Sequence, residues 1–259
     1  MIKKTINLFL FISLINFTII LGHCFASDQE IEFSVSQSYV SRYIWRGQDL
    51  LSNNRAAYQP EIDILFPELI GGVDFGLNIW GSIPVSGGHQ DAEEIDYSLI
   101  FSKDVGALNL SLGFTYFNFP NTSLDSDVSE PWLAIDGPLP FLPDLSFNIF
   151  AAYDFKVTSG GPDQGWYYSW GFGYNLPLDF LAVVQKGQTL DFAVTNWGND
   201  GVADLKPEFL YATEFSLSTT YSLAKLSLTP SVNFTINHKD DINSGNEEFW
   251  TGITLAYNF

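Results

Sequence analysis

Charged side chains recur at alternate positions of this chain, which is how a β-strand gathers them on one face. In Ile31–Arg46 the even positions are mostly polar and end in Arg42 and Arg46, whereas the odd positions are mostly apolar and end in aromatic residues. The same alternation places one more base and seven acids on the polar face of later segments: Lys156, Glu61, Asp63, Asp74, Asp96, Asp154, Asp191 and Glu214. If these faces line a narrow pore, two arginines opposite an acidic wall create a transverse field that orients or selects polar solutes.

A structural role is the alternative for the two arginines. In it, Arg42 and Arg46 pair with acids of the next strand such as Glu61 and Asp63, because charges in a confined lumen need partners. The two roles are compatible, and the sequence leaves both open.

Six aromatic side chains also fall on the polar face, toward one end of their strands: Trp80, Phe117, Phe119, Tyr167, Trp197 and Trp250. Aromatic rings at the mouth of a pore can stack on a sugar or an aromatic solute. The alternative, which we favour, is that they pack inward and support the loops.

Twelve segments show this alternation, and most have the length that a tilted strand needs to cross a bilayer. They are Ile31–Arg46, Ala57–Phe66, Val73–Ile83, Glu94–Ser102, Leu108–Phe119, Ser129–Asp136, Leu145–Lys156, Trp166–Asn175, Thr189–Trp197, Phe209–Tyr221, Leu226–Asn237 and Phe249–Phe259. In Ser129–Asp136, which contains Pro131, the alternation does not show which face is polar. The connections alternate between long and short, except that Leu176–Gln188 is long where a short turn is expected. The predicted fold class is therefore all-β, a transmembrane antiparallel up-and-down β-barrel of about twelve strands with long extracellular loops and short periplasmic turns.

Aromatic residues favour this barrel over a soluble β-sandwich, because they cluster at both ends of the apolar faces as two bilayer-interface girdles would. Near the extracellular ends lie Tyr39, Tyr43, Trp45, Tyr116, Tyr153, Phe155, Trp166, Tyr168, Phe209 and Tyr211. Near the periplasmic ends lie Phe101, Tyr174, Tyr221, Tyr257 and Phe259.

Both chain ends carry export signals. Lys3 and Lys4 precede an apolar run and then Cys24-Phe25-Ala26, which predicts a signal peptide over residues 1–26 and a mature barrel over residues 27–259. The end of the chain, with Tyr257 and Phe259, is similar to the signal that the outer-membrane barrel assembly machinery recognises. We therefore expect an integral outer-membrane protein in contact with outer-membrane lipid and lipopolysaccharide.

Composition argues against several classes of function. The formal net charge of −19 makes nucleic acid an unsuitable partner, because phosphate binding needs a basic surface. The single cysteine, Cys24, lies in the predicted signal peptide, and the acidic loops follow no known calcium-loop spacing, so we expect no cofactor and no metal. We expect no enzyme either, because His89 and His238 are the only histidines past the signal peptide and no Gly-x-Ser-x-Gly motif occurs.

The stretch Tyr39–Gly47 resembles the opening motif of the TorF-like porin family. Ser41, Tyr43, Trp45, Arg46 and Gly47 match it, and Arg42 replaces the usual acid. The resemblance implies an outer-membrane porin-like protein of unspecified substrate. Combined with the acidic wall, it predicts a channel for small polar solutes that favours cations, with an inward arginine pair near the extracellular end of the first strand. A non-transport barrel with a structural or surface-interaction role is the alternative, and an outer-membrane hydrolase is a weaker one.

Overall fold

The structure, a computed structural model, describes residues 30–51, 55–85, 92–179, 187–203, 205–240 and 242–259. The predicted signal peptide over residues 1–26 and His89 lie outside the described residues. No helix among the described residues is long and apolar enough to span a membrane.

Twelve antiparallel strands close into a barrel, as predicted. In chain order they are β1 (Glu32–Val40), β4 (Ala57–Ile70), β5 (Val73–Pro84), β6 (Glu94–Val105), β7 (Leu108–Asn118), β8 (Val128–Leu139), β9 (Leu142–Lys156), β10 (Gly165–Pro177), β11 (Thr189–Asn199), β12 (Glu208–Ser218), β14 (Leu226–Asn237) and β15 (Glu248–Asn258). Each strand pairs with its neighbour in sequence, and β1 closes the ring against β15 with Tyr39 opposite Ile253. Two short strands, β2 (Ile44–Trp45) and β3 (Gln48–Asp49), form a separate hairpin, and β13 (Tyr221–Leu223) adds three residues beside β14.

The connections alternate between long and short, as expected. At one end of the barrel, here called the turn end, pairs such as Val105 and Leu108 leave only two residues between strands. Leu176–Gln188 is partly explained by longer strands, because β10 and β11 pair as far as Pro177 and Thr189. The other end, here called the loop end, carries the other long connections.

The outer surface of the barrel is apolar. Ile62, Leu99, Leu112 and Leu133 are each exposed by more than a third, although a soluble protein would bury such side chains. Exposed aromatic residues gather near both ends of the outer surface: Tyr39, Phe155, Trp166, Phe209 and Phe249 toward the loop end, and Phe101, Tyr221, Tyr257 and Phe259 toward the turn end. This arrangement matches a belt of lipid contact between two interfacial girdles.

Three of the predicted girdle residues point inward instead. Strand β1 ends at Val40, so Tyr43 and Trp45 do not continue its alternation, and both lie inside the barrel. Tyr211 is fully buried because the pairing of β11 with β12 shifts register between Trp197 and Asn199. The extra residues that this bulge puts into β12 turn Tyr211 to the inner face.

Strand β8 contains the face that the sequence left undecided. Leu133 is exposed on the outside, whereas the Trp132 indole donates a hydrogen bond to the Thr115 hydroxyl inside, at 3.1 Å. Glu130 shares the inner face with Trp132 and is 2% exposed.

Candidate functional site: a hairpin inserted in the lumen

The chain turns into the barrel after β1. Strands β2 and β3 pair Ile44 with Asp49 and Trp45 with Gln48, and the resulting two-stranded element, Ile44–Asp49, lies within the lumen near the loop end. We call it the inserted hairpin. The predicted arginine pair is therefore not on the first strand: Arg42 precedes the inserted hairpin and Arg46 forms its turn.

The turn of the inserted hairpin explains why glycine follows Arg46. Arg46 and Gly47 have φ values of 49° and 80°, and two consecutive left-handed residues are what a tight two-residue hairpin turn requires. A Cβ on Gly47 would lie 2.6 Å from the Cβ of Ala212 in β12. The glycine thus supplies both the backbone conformation and the space for the turn to press on the barrel wall.

Arg46 crosses the lumen and ends in a closed polar and aromatic cage. Its guanidinium forms an ion pair with Glu130 of β8, with an Nη1–Oε2 distance of 2.6 Å and an Nη2–Oε1 hydrogen bond of 2.8 Å. It also lies over the rings of Trp45 and Tyr167, 4.1 and 4.6 Å from their centroids. Burial lowers the pKa of Arg46, but the attraction and hydrogen bond of Glu130, together with Asp154 and Tyr167, outweigh burial and leave that pKa above its ordinary value. Arg46 is therefore a permanent charge that fastens the inserted hairpin to the wall.

The backbone of the hairpin is fastened at its other side. The Tyr211 hydroxyl donates to the Arg46 carbonyl oxygen at 2.8 Å. Asn243, in a short turn of the last long loop, accepts from the Asp49 amide at 2.8 Å and donates to the Gly47 carbonyl at 2.9 Å.

Side chains at the base of the inserted hairpin reach two further strands. The Tyr43 hydroxyl donates to Glu94 of β6 at 2.8 Å, and the Gln48 amide donates to the Tyr167 hydroxyl at 3.3 Å. Burial raises the pKa of the Tyr43 hydroxyl well above its ordinary value, and the carboxylate of Glu94 adds to this, so Tyr43 remains a neutral donor. The inserted hairpin is thus tied to strands on several sides of the barrel.

The partners of the lumen charges differ from the predicted ones. Arg42 pairs with Glu248 at the start of β15, and Arg46 pairs with Glu130. Glu61 and Asp63 instead accept hydrogen bonds from Ser36, Ser34 and Asn78 on the neighbouring strands. The arginines do not reach these acids because the chain carries them away from β1 into the lumen.

Most of the predicted mouth aromatics contact this element. Trp80 lies 5.6 Å from the Tyr43 ring, and Phe117 and Tyr167 lie 5.8 and 5.3 Å from the Trp45 ring, between centroids. Trp197, like Trp45, packs against a buried cluster that includes Tyr167 and Tyr211. Trp250 is buried on the inner wall. Phe119 was predicted on a strand, but β7 ends at Asn118 and Phe119 belongs to the following loop.

Two cavities remain in the lumen beside the inserted hairpin. One, of about 400 Å³, lies against the wall formed by Gln59, Trp80, Asp96, Asn233 and Trp250. The other, of about 430 Å³, lies against Asp136, Asn148, Ser169, Thr195 and Trp197. Ile44, Trp45 and Glu214 border both. The hairpin therefore narrows the lumen and divides the remaining space.

The other predicted wall charges lie apart from the hairpin or at its edge. Asp154 is buried on β9, close enough to Arg46 to attract its guanidinium electrostatically. Asp74 accepts from the Glu68 amide at 2.6 Å at the turn end, and Asp191 lies near that end of β11. Lys156 ends β9 at the loop end.

Tyr257 and Phe259, the predicted assembly signal, pack ring to ring at 4.8 Å between centroids where β15 meets β1.

Several residues of the site escaped the sequence interpretation. Glu130 lies on the strand whose alternation Pro131 obscured, and Asn243 lies in a loop whose position alternation cannot place. The sequence predicts Tyr43 on the outer face because the predicted first strand extends to Arg46, whereas β1 ends at Val40. Gly47 is the available signal, because a glycine at the end of an alternating segment favours a turn over a continuous strand.

Catalytic or metal-binding chemistry would need histidines or clustered acids. The described histidine, His238, lies within 2.9 Å of the Thr213 hydroxyl. In the described part of the chain, no group of three or more His, Cys, Asp or Glu side chains is arranged to hold a metal ion.

Comparison with known proteins identifies a shared fold. No protein-family model and no curated protein matches the sequence, so the resemblance to the TorF-like porins stays a prediction. Among solved structures, the COG4313 outer membrane channel from Pseudomonas putida F1 superimposes with a TM-score of 0.53 at 10% identity, covering 88% of this chain and 95% of that one. A KdgM porin superimposes with a TM-score of 0.51 at 10% identity, covering 87% of this chain and 99% of that one. At such low identity the likeness establishes the fold alone: this chain has the β-barrel fold found in outer-membrane channels.

Proposed function

We propose that this protein is an outer-membrane porin-like channel that passes small polar solutes and favours cations. The observation that carries the proposal is the pairing of an apolar, lipid-suited outer surface with a polar lumen that still holds two cavities of about 400 and 430 Å³ beside the inserted hairpin. A structural barrel has no need of open polar space along its axis.

The cation preference follows from the charges that border this space. Carboxyl groups of Asp96, Asp136 and Glu214 line the cavities. The two lumen arginines are each neutralised by an ion-pair partner, Glu248 for Arg42 and Glu130 for Arg46. A net negative wall raises the local concentration of cations and lowers that of anions.

The two arginines then have different roles. Arg46 is 8% exposed and braces the inserted hairpin. The side chain of Arg42 is 22% exposed and borders the cavity of about 400 Å³, so it is the arginine that a passing solute meets. We include the location in the proposal: an integral outer-membrane protein, exported through a cleaved signal peptide, with the loop end facing outward.

Current through planar bilayers tests this proposal. Purified, folded protein, recognised by its heat-modifiable migration on gels, should give discrete conductance steps in potassium chloride. With a concentration gradient of the salt, the zero-current potential should have the sign of a potassium-selective pore. An anion-selective potential would overturn the cation preference, and folded protein without conductance would overturn the channel.

A barrel without transport activity is the second candidate, and the inserted hairpin favours it. An element fastened to strands around the lumen can act as a plug, in which case the loop end serves surface contacts only. Absence of conductance that persists after the hairpin is removed would support this candidate.

A further inference from the structure

One lumen cavity has the chemistry of a binding site. It is the space of about 400 Å³ on the β5 and β6 side of the inserted hairpin. Four aromatic side chains border it, Tyr43, Trp45, Trp80 and Trp250, together with the carboxyl groups of Asp96 and Glu214. Its volume lies at the small end of the range for sites that hold small organic molecules.

Asp96 is the feature that points to a ligand. Its side chain is 8% exposed, and among the described residues its Oδ1 has no hydrogen-bond partner. A buried carboxylate oxygen without a donor costs free energy, so it is rarely left in this state without a reason. Glu94 stands beside it on the same face of β6 and is held by the Tyr43 hydroxyl. Two neighbouring carboxyl groups oppose each other's ionisation, and a positive charge placed beside Asp96 would relieve this opposition.

The aromatic side chains narrow the class of cation. Indole rings attract a cation through the negative charge of their faces, and this attraction suits weakly hydrated organic ammonium groups. Small inorganic cations such as Ca²⁺ prefer six or more oxygen ligands, which this aromatic wall does not offer. Arg42 also borders the cavity, but its charge is offset by Glu248.

We propose that this cavity binds a small organic ammonium ion, with Asp96 as the counter-charge and Trp80 and Trp250 as its apolar walls. The inference deepens the proposed channel function and rests on it for the idea that the ligand is a transported solute. The solutes that the channel would pass then include amines and quaternary ammonium compounds.

Calorimetric titration of the folded protein in detergent tests the site without requiring a current. The probe is choline chloride, and its comparison is 3,3-dimethyl-1-butanol, which has the same shape without the charge. Choline should bind at least about tenfold more tightly than the uncharged alcohol. Equal binding of the two compounds, or no binding of choline, would overturn the site.

Variants assign the binding to the cavity. Asp96→Asn keeps the shape and removes the charge, and Trp250→Leu removes an aromatic face, so each should weaken choline binding about tenfold. Asp136→Asn removes a carboxylate from the other cavity and should leave choline binding unchanged. If Asp96→Asn and Trp250→Leu bind choline like the unmodified protein, the assignment is wrong.

The outcomes separate this inference from the channel itself. Potassium conductance without choline binding would remove the ammonium site and leave the channel. Choline binding without any conductance would keep the site and remove the channel.

Discussion

Arg46 is the residue on which the interior of the barrel depends most. It is buried, charged, paired with a glutamate that is itself 2% exposed, and set at the turn of the inserted hairpin. A buried ion pair adds little over an apolar pair of similar size, but removal of one partner leaves the other charge buried and unpaired. The stability of the barrel should therefore respond unequally to single and double changes at this pair.

Arg46→Ala should lower the free energy of unfolding by about 3–5 kcal/mol, because Glu130 loses its counter-charge inside the protein. Urea titration of the protein in lipid vesicles measures this. The double variant Arg46→Met/Glu130→Met should recover most of the loss. Lys103→Ala is the control, because Lys103 is exposed at the turn end and donates there to the backbone carbonyl of Gly71. A loss as small as that of the control would show that the ion pair is not needed.

Gly47 is the second residue whose type the structure constrains, through its positive φ and its contact with Ala212. Gly47→Ala adds a methyl group 2.6 Å from Ala212, at a backbone conformation that glycine alone adopts freely. Overpacking of this kind costs about 1–3 kcal/mol beyond the backbone strain. Gly71→Ala is the matched control, because Gly71 also has a positive φ and has open space around it.

The free energies of unfolding of the two glycine variants should separate the overpacking against Ala212 from the backbone strain. Gly47→Ala should be the less stable variant, and adding Ala212→Gly should restore part of its stability. Equal losses at both glycines would mean that the hairpin does not press on β12.

The inserted hairpin is the element that gives this barrel its particular lumen. Its sequence lies at the end of an alternating segment. Asn243 of the last long loop holds its backbone through hydrogen bonds to Asp49 and Gly47. Asn243 accepts one backbone hydrogen bond and donates another, and with Tyr211 it restrains the hairpin on the side away from Glu130.

Asn243→Ala should loosen this restraint. We expect amide hydrogen exchange at Asp49 to accelerate about tenfold or more, because one lost hydrogen bond is worth roughly 0.5–1.5 kcal/mol and two are lost here. Exchange at the barrel amides of β5 and β6 should not change. Asn109→Ala is the control, since Asn109 bonds Asp104 at the opposite end of the barrel. Unchanged exchange at Asp49 would show that the hairpin is held without Asn243.

Alternation predicted the strands because a barrel wall has only two faces, apolar outside and polar inside. The outward positions of Ile62, Leu99 and Leu112 needed no tertiary information, and neither did the number of strands. Alternation has no information on where a strand stops, so Tyr43 and Trp45 were placed on the outside. It fails again at Tyr211, where a bulge shifts the register, and it says nothing of which loop enters the lumen. The partners of Arg42 and Arg46 depend on that entry, so the sequence could not supply them.

The whole molecule is a twelve-stranded barrel whose lumen is narrowed by one inserted segment. The polar wall, the cavities and the ion pairs all meet at the inserted hairpin, near the loop end. Strands β1 and β4 pair up to Val40 and Ala57, so these two residues are adjacent in the wall.

The most direct measurement is single-channel conductance before and after the hairpin is removed. Replacing residues 41–56 with a short Asn-Gly turn joins the paired ends of β1 and β4. As a control, the loop over residues 157–164 is shortened in the same way. We predict small, cation-selective steps for the intact protein, steps severalfold larger after hairpin removal, and no change in the control. Equal conductance with and without the hairpin, or no conductance in either folded protein, would contradict a channel narrowed by this element.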